Sequence, residues 1–330
     1  MIGLTQTFEI AGQQGMRHSA AKQALAAMEE SISETRCQLH AAVEQRFVQA
    51  LGLQMRIQME EKILGLIQGA EAVVEKRVAA GEDSRLDGNL ARVEAERAQN
   101  QLSLLREQLV QARADLAAML QLPADSLPEV AGNIDPQPAS YGLNELLISS
   151  ANRPLLHMFE YEEKSRQSRL DLEHAKVYPD ITLGLGTGRG TPDTAGLKVT
   201  TLSISLPLPL FRRNDTGIGR AMTELTQVQV QKQAAQRDTR AQVIALWERF
   251  EKLRVRVGRL TTSVLPALEE NQRLSVVSFR EGEIGLTQLL LVNRQLLDGQ
   301  RDLLDARTEL CLTQVALEAA AGWQSAPSLR

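Results

Sequence analysis

Four histidines, two cysteines and one pair of helical methionines are the residues here with the chemistry to hold a metal. His18, His40, His157 and His174 lie far apart and share no ligand spacing, so they read as solvated helix residues. Met55 and Met59 stand four apart, which puts two thioethers on one helix face. A soft cation could sit between them; packing in a core or groove is the simpler reading. Cys37 and Cys311 each lie in helical sequence with no Cys or His partner nearby. No disulfide follows, and each reads as a small buried or half-buried residue. The stretch GLGTGRG, 184–190, has the wrong glycine pattern for a nucleotide loop, and no helix opens at its end. GxSxG, HExxH and CxxC are absent, so no catalytic residue and no metal ligand is assigned.

The composition agrees with a chain that does no chemistry of its own. Of 330 residues 24% are charged and only 3% aromatic, a balance typical of long helical assemblies rather than enzyme cores. The net charge is -4 and the basic residues are evenly spread, against a nucleic-acid surface. No run of 18 apolar residues provides a membrane helix. The start, MIGLTQTFEIAGQQG, lacks the basic and apolar regions of a signal peptide.

What positions the residues is an internal repeat. Shifted by 201, the turn at Gly81 (KRVAAGEDSRLD) falls on the turn at Gly282 (SFREGEIGLTQ), and Leu4–Gly15 falls on Ser205–Thr216. Each half reads as strand, long helix, glycine turn and return helix. Helices are expected over about 16–80 and 216–281, each roughly 100 Å long. Val243, Leu246, Phe250, Leu253, Val257, Leu260 and Val264 step by three and four, a coiled-coil seam. Leu289, Leu296, Leu303, Leu310 and Leu317 recur every seven, with Leu290, Leu297, Leu304 and Cys311 beside them. The first half carries the pattern in Leu102, Leu109 and Leu116. The short glycine turns force each following helix to run back, giving two helical hairpins with their turns at the tips.

Three segments alternate. IGLTQTFEI, YPDITLGLGTGRG and LKVTTLSISLPLPLF each place large apolar residues on one side and small or polar ones on the other, with Gln6 breaking the apolar row of the first. Such strands suit a membrane barrel and equally a soluble sheet with one covered face. The second and third form a hairpin around GRGTPDTAG. Pro207 and Pro209 each remove a ladder donor, so the strand should end and turn there. Arg212 and Arg213 follow, and Asn214, Asp215 and Thr216 offer caps for the next helix. The Pro-rich middle holds one short helix near 144–150; another runs 154–176, with Pro154 in its first turn and Asn152 as its cap. The expected division is 1–122, a connector 123–153, and 154–330.

On these residues the chain resembles the outer-membrane efflux (TolC-like) family. SLPLPLFRRNDTGIGRA, 205–221, is similar to the "PLPLF-R-N-G-I-A" segment of its heavy-metal (cobalt–zinc–cadmium) branch, and FREGEIGLTQLLLVNRQLLDGQRDLLDAR to its tip and return helix. The resemblance implies a mostly α fold with β: coiled-coil hairpins forming a periplasmic tunnel, and strands of a trimeric 12-stranded outer-membrane barrel. It implies a passive exit duct for divalent metal cations, a homotrimer working with a periplasmic adaptor and an inner-membrane resistance-nodulation-division pump, and no cofactor. The adaptor would meet the tips Gly81, Glu82, Asp83, Ser84 and Gly282, Glu283, Ile284, Gly285, Leu286, Thr287. Pro207, Pro209, Arg212, Arg213 and Asn214 would mark the barrel-to-tunnel junction. Some relatives carry a ring of acids just after the second tip; here those positions are Gln288 and Leu291, leaving Asp83, Glu283 and Gln288 as constriction candidates. The family protomer has a leading helix and strand before the position of Ile2, so the chain reads as N-terminally incomplete. Drug or protein export within the family, and a soluble coiled-coil scaffold, are the rival readings.

Overall fold

The computed structural model describes residues 2–123, 126–135, 141–189, 198–207 and 213–323. In chain order these form β1 (Ile2–Phe8), α1 (Gln13–Ala79), α2 (Arg85–Met119), α3 (Leu143–Ala151), α4 (Pro154–Ala175), β2 (Ile181–Arg189) and β3 (Lys198–Ser205). Then come α5 (Asp215–Arg259), a π turn over Leu260–Val264, α6 (Leu265–Arg280) and α7 (Leu286–Ala321). The chain is mostly helix, and α1 alone has 67 residues.

The repeat is written in the helix ends. Gly81 and Gly282 adopt φ of 79° and 75°, and each closes the preceding helix with two reversed bonds. Gly81 N–H bonds the Val78 carbonyl and Glu82 N–H that of Arg77; Gly282 and Glu283 do the same to Phe279 and Ser278. The ends of α2 and α7 use the same motif at Gln121 (φ 54°) and Gly322 (φ 61°), again 201 apart. Ser84 and Asp87 form a reciprocal capping box that starts α2. At the helix starts the spacing becomes 202: left-handed Gly12 precedes α1 and left-handed Asn214 precedes α5.

Two expectations need correction. The second long helix is not one uniform α-helix from 216 to 281. Pro266 has no N–H to continue the ladder, and just before it the bonding widens so that Leu265 N–H reaches the Leu260 carbonyl. Nor does Asn152 cap α4. Its N-cap is Arg153, without a side-chain cap bond, while Pro154 does occupy the first turn.

Residues Met1–Arg36 with Ala151–Arg240 form one compact unit, and Cys37–Ser150 with Ala241–Arg330 another. In the first, small residues let α1, α4 and α5 approach: Ser165 Oγ donates to the Ala20 carbonyl at 2.9 Å, and Ala20, Ala175 and Ala221 are buried. Arg153 grips Glu34 through two nitrogens. The sheet of this unit is antiparallel, in the order β1-β2-β3.

In the second unit the heptads find their neighbours. Val243, Phe250, Leu253 and Val257 of α5 pack with Ala306, Leu310 and Leu317 of α7 and Leu146 of α3. Ile57 and Leu64 of α1 pack with Leu102 and Leu105 of α2. The two leucine rows of α7 therefore serve different partners: Leu303, Leu310 and Leu317 face α5, whereas Cys311 joins Ala50 and Leu51 of α1 with Leu116 and Ile134. Burial pushes the Cys311 thiol up to about 11, with Asp135 adding to the effect.

Two outcomes test this packing. Replacing Gln121 with Gly should stabilise the chain by about 0.5–1 kcal/mol in denaturant melts, because only glycine takes a left-handed backbone without cost; a loss would mean the Gln121 side chain outweighs that strain. In the folded protein at pH 8, Cys311 should carry roughly a hundredfold less thiolate than an ordinary thiol and alkylate correspondingly slowly. Fast labelling would show the α1–α7 contact to be open.

Candidate functional site

Three places stand out: the face of the sheet, the elbows where strands meet helices, and the hairpin tips. The register of the sheet aligns its side chains in rows. Leu4 lies opposite Leu185, which lies opposite Leu202; Gln6, Leu183 and Ile204 form the next row. These apolar residues have no protein cover: Leu4 is 77% exposed, Leu185 57% and Leu202 73%. The opposite face carries Thr5, Gly184 and Ser203 in one row, and Thr7, Thr182 and Ser205 in the next. Gly184 is needed for this closeness, since a Cβ there would lie 2.4 Å from Ser203 Oγ and 3.2 Å from Thr5 Cγ2. An uncovered sheet with a largely apolar face, interrupted here by Gln6, costs free energy in water and gains it in hydrocarbon.

The elbows are tied by polar side chains. Gln13, buried at the start of α1, donates to Asp180 at 2.9 Å and accepts from Ala11 N–H at 3.0 Å. Arg17 of the same turn pairs with Glu9. At the second elbow β3 ends before Pro207, as expected from the lost donor. Pro209 and Arg212 lie outside the described residues; Arg213 is exposed. Asn214 does not cap α5 with its side chain. Its Nδ2 donates to the Glu173 carbonyl at 2.9 Å and to Glu173 Oε2 at 2.7 Å, fastening α5 to the end of α4. Lys176 completes the knot at 2.5 Å. The Asn214 bond, with that of Lys176, holds the Glu173 carboxyl below its ordinary value. Gly217 leaves room for the knot: a Cβ would meet Asn214 Oδ1 at 2.4 Å and Glu173 Oε2 at 2.5 Å.

The tips bring most of the residues singled out in the sequence to two neighbouring turns. Gly81, Glu82 and Ser84 are exposed, as are Gly282, Glu283, Gly285, Thr287 and Gln288; Ile284 is half-buried, and Leu286 opens α7. Asp83 turns back to Arg77 Nε at 3.0 Å, while Glu283 accepts from Ser278 Oγ at 2.9 Å. Both acids are thus held within their own turns. Arg77, unremarked in the sequence, also lies over the Phe279 ring at 5.8 Å and so links the two hairpins. Apolar residues flank the tips in matching places: Val73 and Leu274 are 52% and 50% exposed, Leu90 and Leu291 36% and 56%, each pair 201 apart. Among the described residues no group of three His, Cys, Asp or Glu could hold a metal ion, and no helix is long and apolar enough to cross a membrane.

Paired coiled-coil hairpins and a sheet with an uncovered apolar face define a membrane channel component of the barrel-and-tunnel kind. The chain belongs to the outer membrane efflux protein family, whose model matches residues 1–121 and 148–323. It is 25% identical over 299 residues to the cobalt-zinc-cadmium resistance protein CzcC of Cupriavidus metallidurans, covering 91% of this chain and 69% of CzcC. It is 27% identical over 234 residues to the pyoverdine export outer membrane protein OpmQ of Pseudomonas putida, spanning 68% of this chain and only about half, 49%, of that relative. The fold is shared with the outer membrane protein VceC of Vibrio cholerae, with a TM-score of 0.83 and 18% identity over 98% of this chain and 79% of VceC. The chain is accordingly an outer-membrane protein, and the expectation of a mostly α fold with barrel strands and tunnel helices is borne out.

The polar knot gives a sharp test. Gly217→Ala should cost roughly 1–3 kcal/mol by forcing the bonded groups apart, and much less in a Glu173→Gln background. The depressed Glu173 carboxyl adds stability above the ordinary carboxylate range, lost as pH falls through its lowered value. The gap between the native chain and Glu173→Gln should therefore close on acidification; a gap that widened would exclude the knot.

Proposed function

We propose that this chain is the exit duct of a tripartite efflux system that expels divalent metal cations. In this reading three copies close one barrel of twelve strands, and transport through it is passive. A periplasmic adaptor meets the tips at Gly81–Ser84 and Gly282–Thr287 and links them to an inner-membrane pump that supplies the energy. The two repeats, with the connector between them, are the working divisions of the protomer. Asp83, Glu283 and Gln288 stand nearest the narrowing and are its constriction candidates. The observation that carries the metal assignment is the likeness to CzcC along 91% of the chain. The paired exposed residues Val73 and Leu274, and Leu90 and Leu291, support the tips as docking surfaces, because both hairpins offer apolar area at the same level.

A second reading, export of a siderophore, is favoured by the likeness to OpmQ over 68% of the chain. Deleting the gene in its host separates the two. Sensitivity to cobalt, zinc and cadmium, reversed by the intact gene, supports metal export; unchanged metal tolerance with retained siderophore overturns it. At the tips, Asp83→Lys with Glu283→Lys should lower metal tolerance at least tenfold if these turns dock a partner or line the gate. Tolerance at the native level would count against the tip assignment.

A further inference from the structure

Among the described residues Glu60 is the one charged member of the largest fully buried side chains, with 1% of its side chain exposed. It lies on α1, close to the apolar positions Ile57, Ile63 and Leu64. Arg301 of α7 grips it with a fork: Nε donates to Oε1 and Nη2 to Oε2, both at 2.7 Å. Arg56, one turn earlier on α1, donates to Oε1 at 3.2 Å and to Asp305 of α7 at 2.6 Å. One turn further back, Gly52 faces Thr308, and a Cβ on Gly52 would come within 2.9 Å of Thr308 Cγ2. Along this line α1 and α7 run antiparallel, with 52 opposite 308, 56 opposite 305 and 60 opposite 301.

Leucine heptads do not by themselves fix such a pairing. A slip of seven residues replaces Leu with Leu along the first row of α7 and along the second as far as Cys311, so most of the seam stays apolar. The polar contacts discriminate. A slip that brings Thr308 opposite Glu60 takes away the Arg301 fork, leaves the buried carboxylate only the 3.2 Å bond from Arg56, and sets Leu312 in place of Asp305 opposite Arg56, which is unfavourable. The opposite slip brings Arg294 to Glu60 and Asp298 to Arg56, so the charges tolerate it. That slip also brings the longer Arg301 against Gly52, where even Thr308 lies so near that a Cβ on the glycine would come within 2.9 Å of it. Charge and close approach together favour the observed register over either one-heptad slip.

We propose that Glu60, with Gly52 behind it, is a register pin that holds the two hairpin tips level. From Glu60 to Gly81 is 21 residues, and from Arg301 back to Gly282 is 19. At 1.5 Å per residue these are about 32 and 28 Å, so the pinned register brings both tips to the same height. The Arg77–Phe279 contact is the product of that alignment, since a one-heptad slip would carry the partners about 10 Å apart. Glu60 is a positioning residue: it acts on the tips through the helices. The benefit of level tips rests on the docking role proposed above; the register itself does not.

The test is a distance distribution between spin labels at Glu82 and Thr287, attached through encoded ketone side chains so that Cys37 and Cys311 stay intact. Labelled chain is diluted with unlabelled chain in detergent. The native protein should give one narrow distance. Glu60→Leu with Arg301→Leu should melt no earlier than the native chain, because apolar replacement of a buried pair is often neutral or stabilising. Its distribution should broaden or gain a population displaced by about 10 Å, one heptad of rise. A narrow, unshifted distribution in this double variant overturns the pin. If the double variant does not fold, Arg301→Lys keeps the charge and loses the fork; a partial broadening supports the pin, and a native-like width overturns it. Broadened tips with unimpaired metal tolerance would sink the docking role and leave the pin standing.

Discussion

A helix of 67 residues exists only if something covers one of its faces along its whole length. Isolated helices in water are marginal, and most helical stability comes from packing an apolar stripe. Everything else in the chain follows from supplying that cover. The hairpin turns send α2 and α7 back, so each long helix gains a neighbour from its own repeat. Small residues such as Ala20, Ser165 and Ala221 bring α1, α4 and α5 close where large ones would hold them apart. The apolar seams then close over Ile57 and Leu102 in one hairpin and over Phe250 and Leu310 in the other.

The sheet solves a different problem in a different solvent. Its leucines stay largely uncovered, and its serines and glycines and most of its threonines gather on the other face. Such a surface is stable against lipid, where each strand must find its hydrogen bonds from neighbouring strands. The polar elbows lie where these two regimes meet. Gln13 with Asp180, and Asn214 with Glu173, hold the chain's change of direction by charge-assisted or neutral hydrogen bonds rather than by apolar contact. Pro207 ends the third strand just before the second elbow.

Between the hairpins the balance shifts again. Apolar packing there gives affinity without a unique alignment, and the buried Glu60–Arg301 fork, Arg56–Asp305 and the Gly52–Thr308 contact supply the alignment. A buried ion pair is poor evidence of stability; here it discriminates between registers together with the close approach at Gly52, since one heptad slip strips Glu60 of the Arg301 fork and the other sets Arg301 against Gly52. The tips are similarly ordered by local bonds, with Asp83 committed to Arg77 and Glu283 to Ser278.

The sequence by itself determined the elements that depend on neighbours in the chain. The 201-residue repeat, the hairpin turns at Gly81 and Gly282, the heptad seam through Phe250 and the alternation of all three strands could each be read there, because period, glycine and proline act locally. The family likeness in SLPLPLFRRNDTGIGRA was legible for the same reason. Less visible were the π turn before Pro266, the one-residue change of spacing at the helix starts, and the use of Asn214 as a tie to Glu173 instead of a cap. Glu60 gave one hint, a charge among apolar heptad positions, yet its partner lies 241 residues away. Only the tertiary structure decided such pairings, since a side chain's preferred partner depends on which distant helix the packing brings to within a hydrogen bond, and a periodic sequence leaves that choice open.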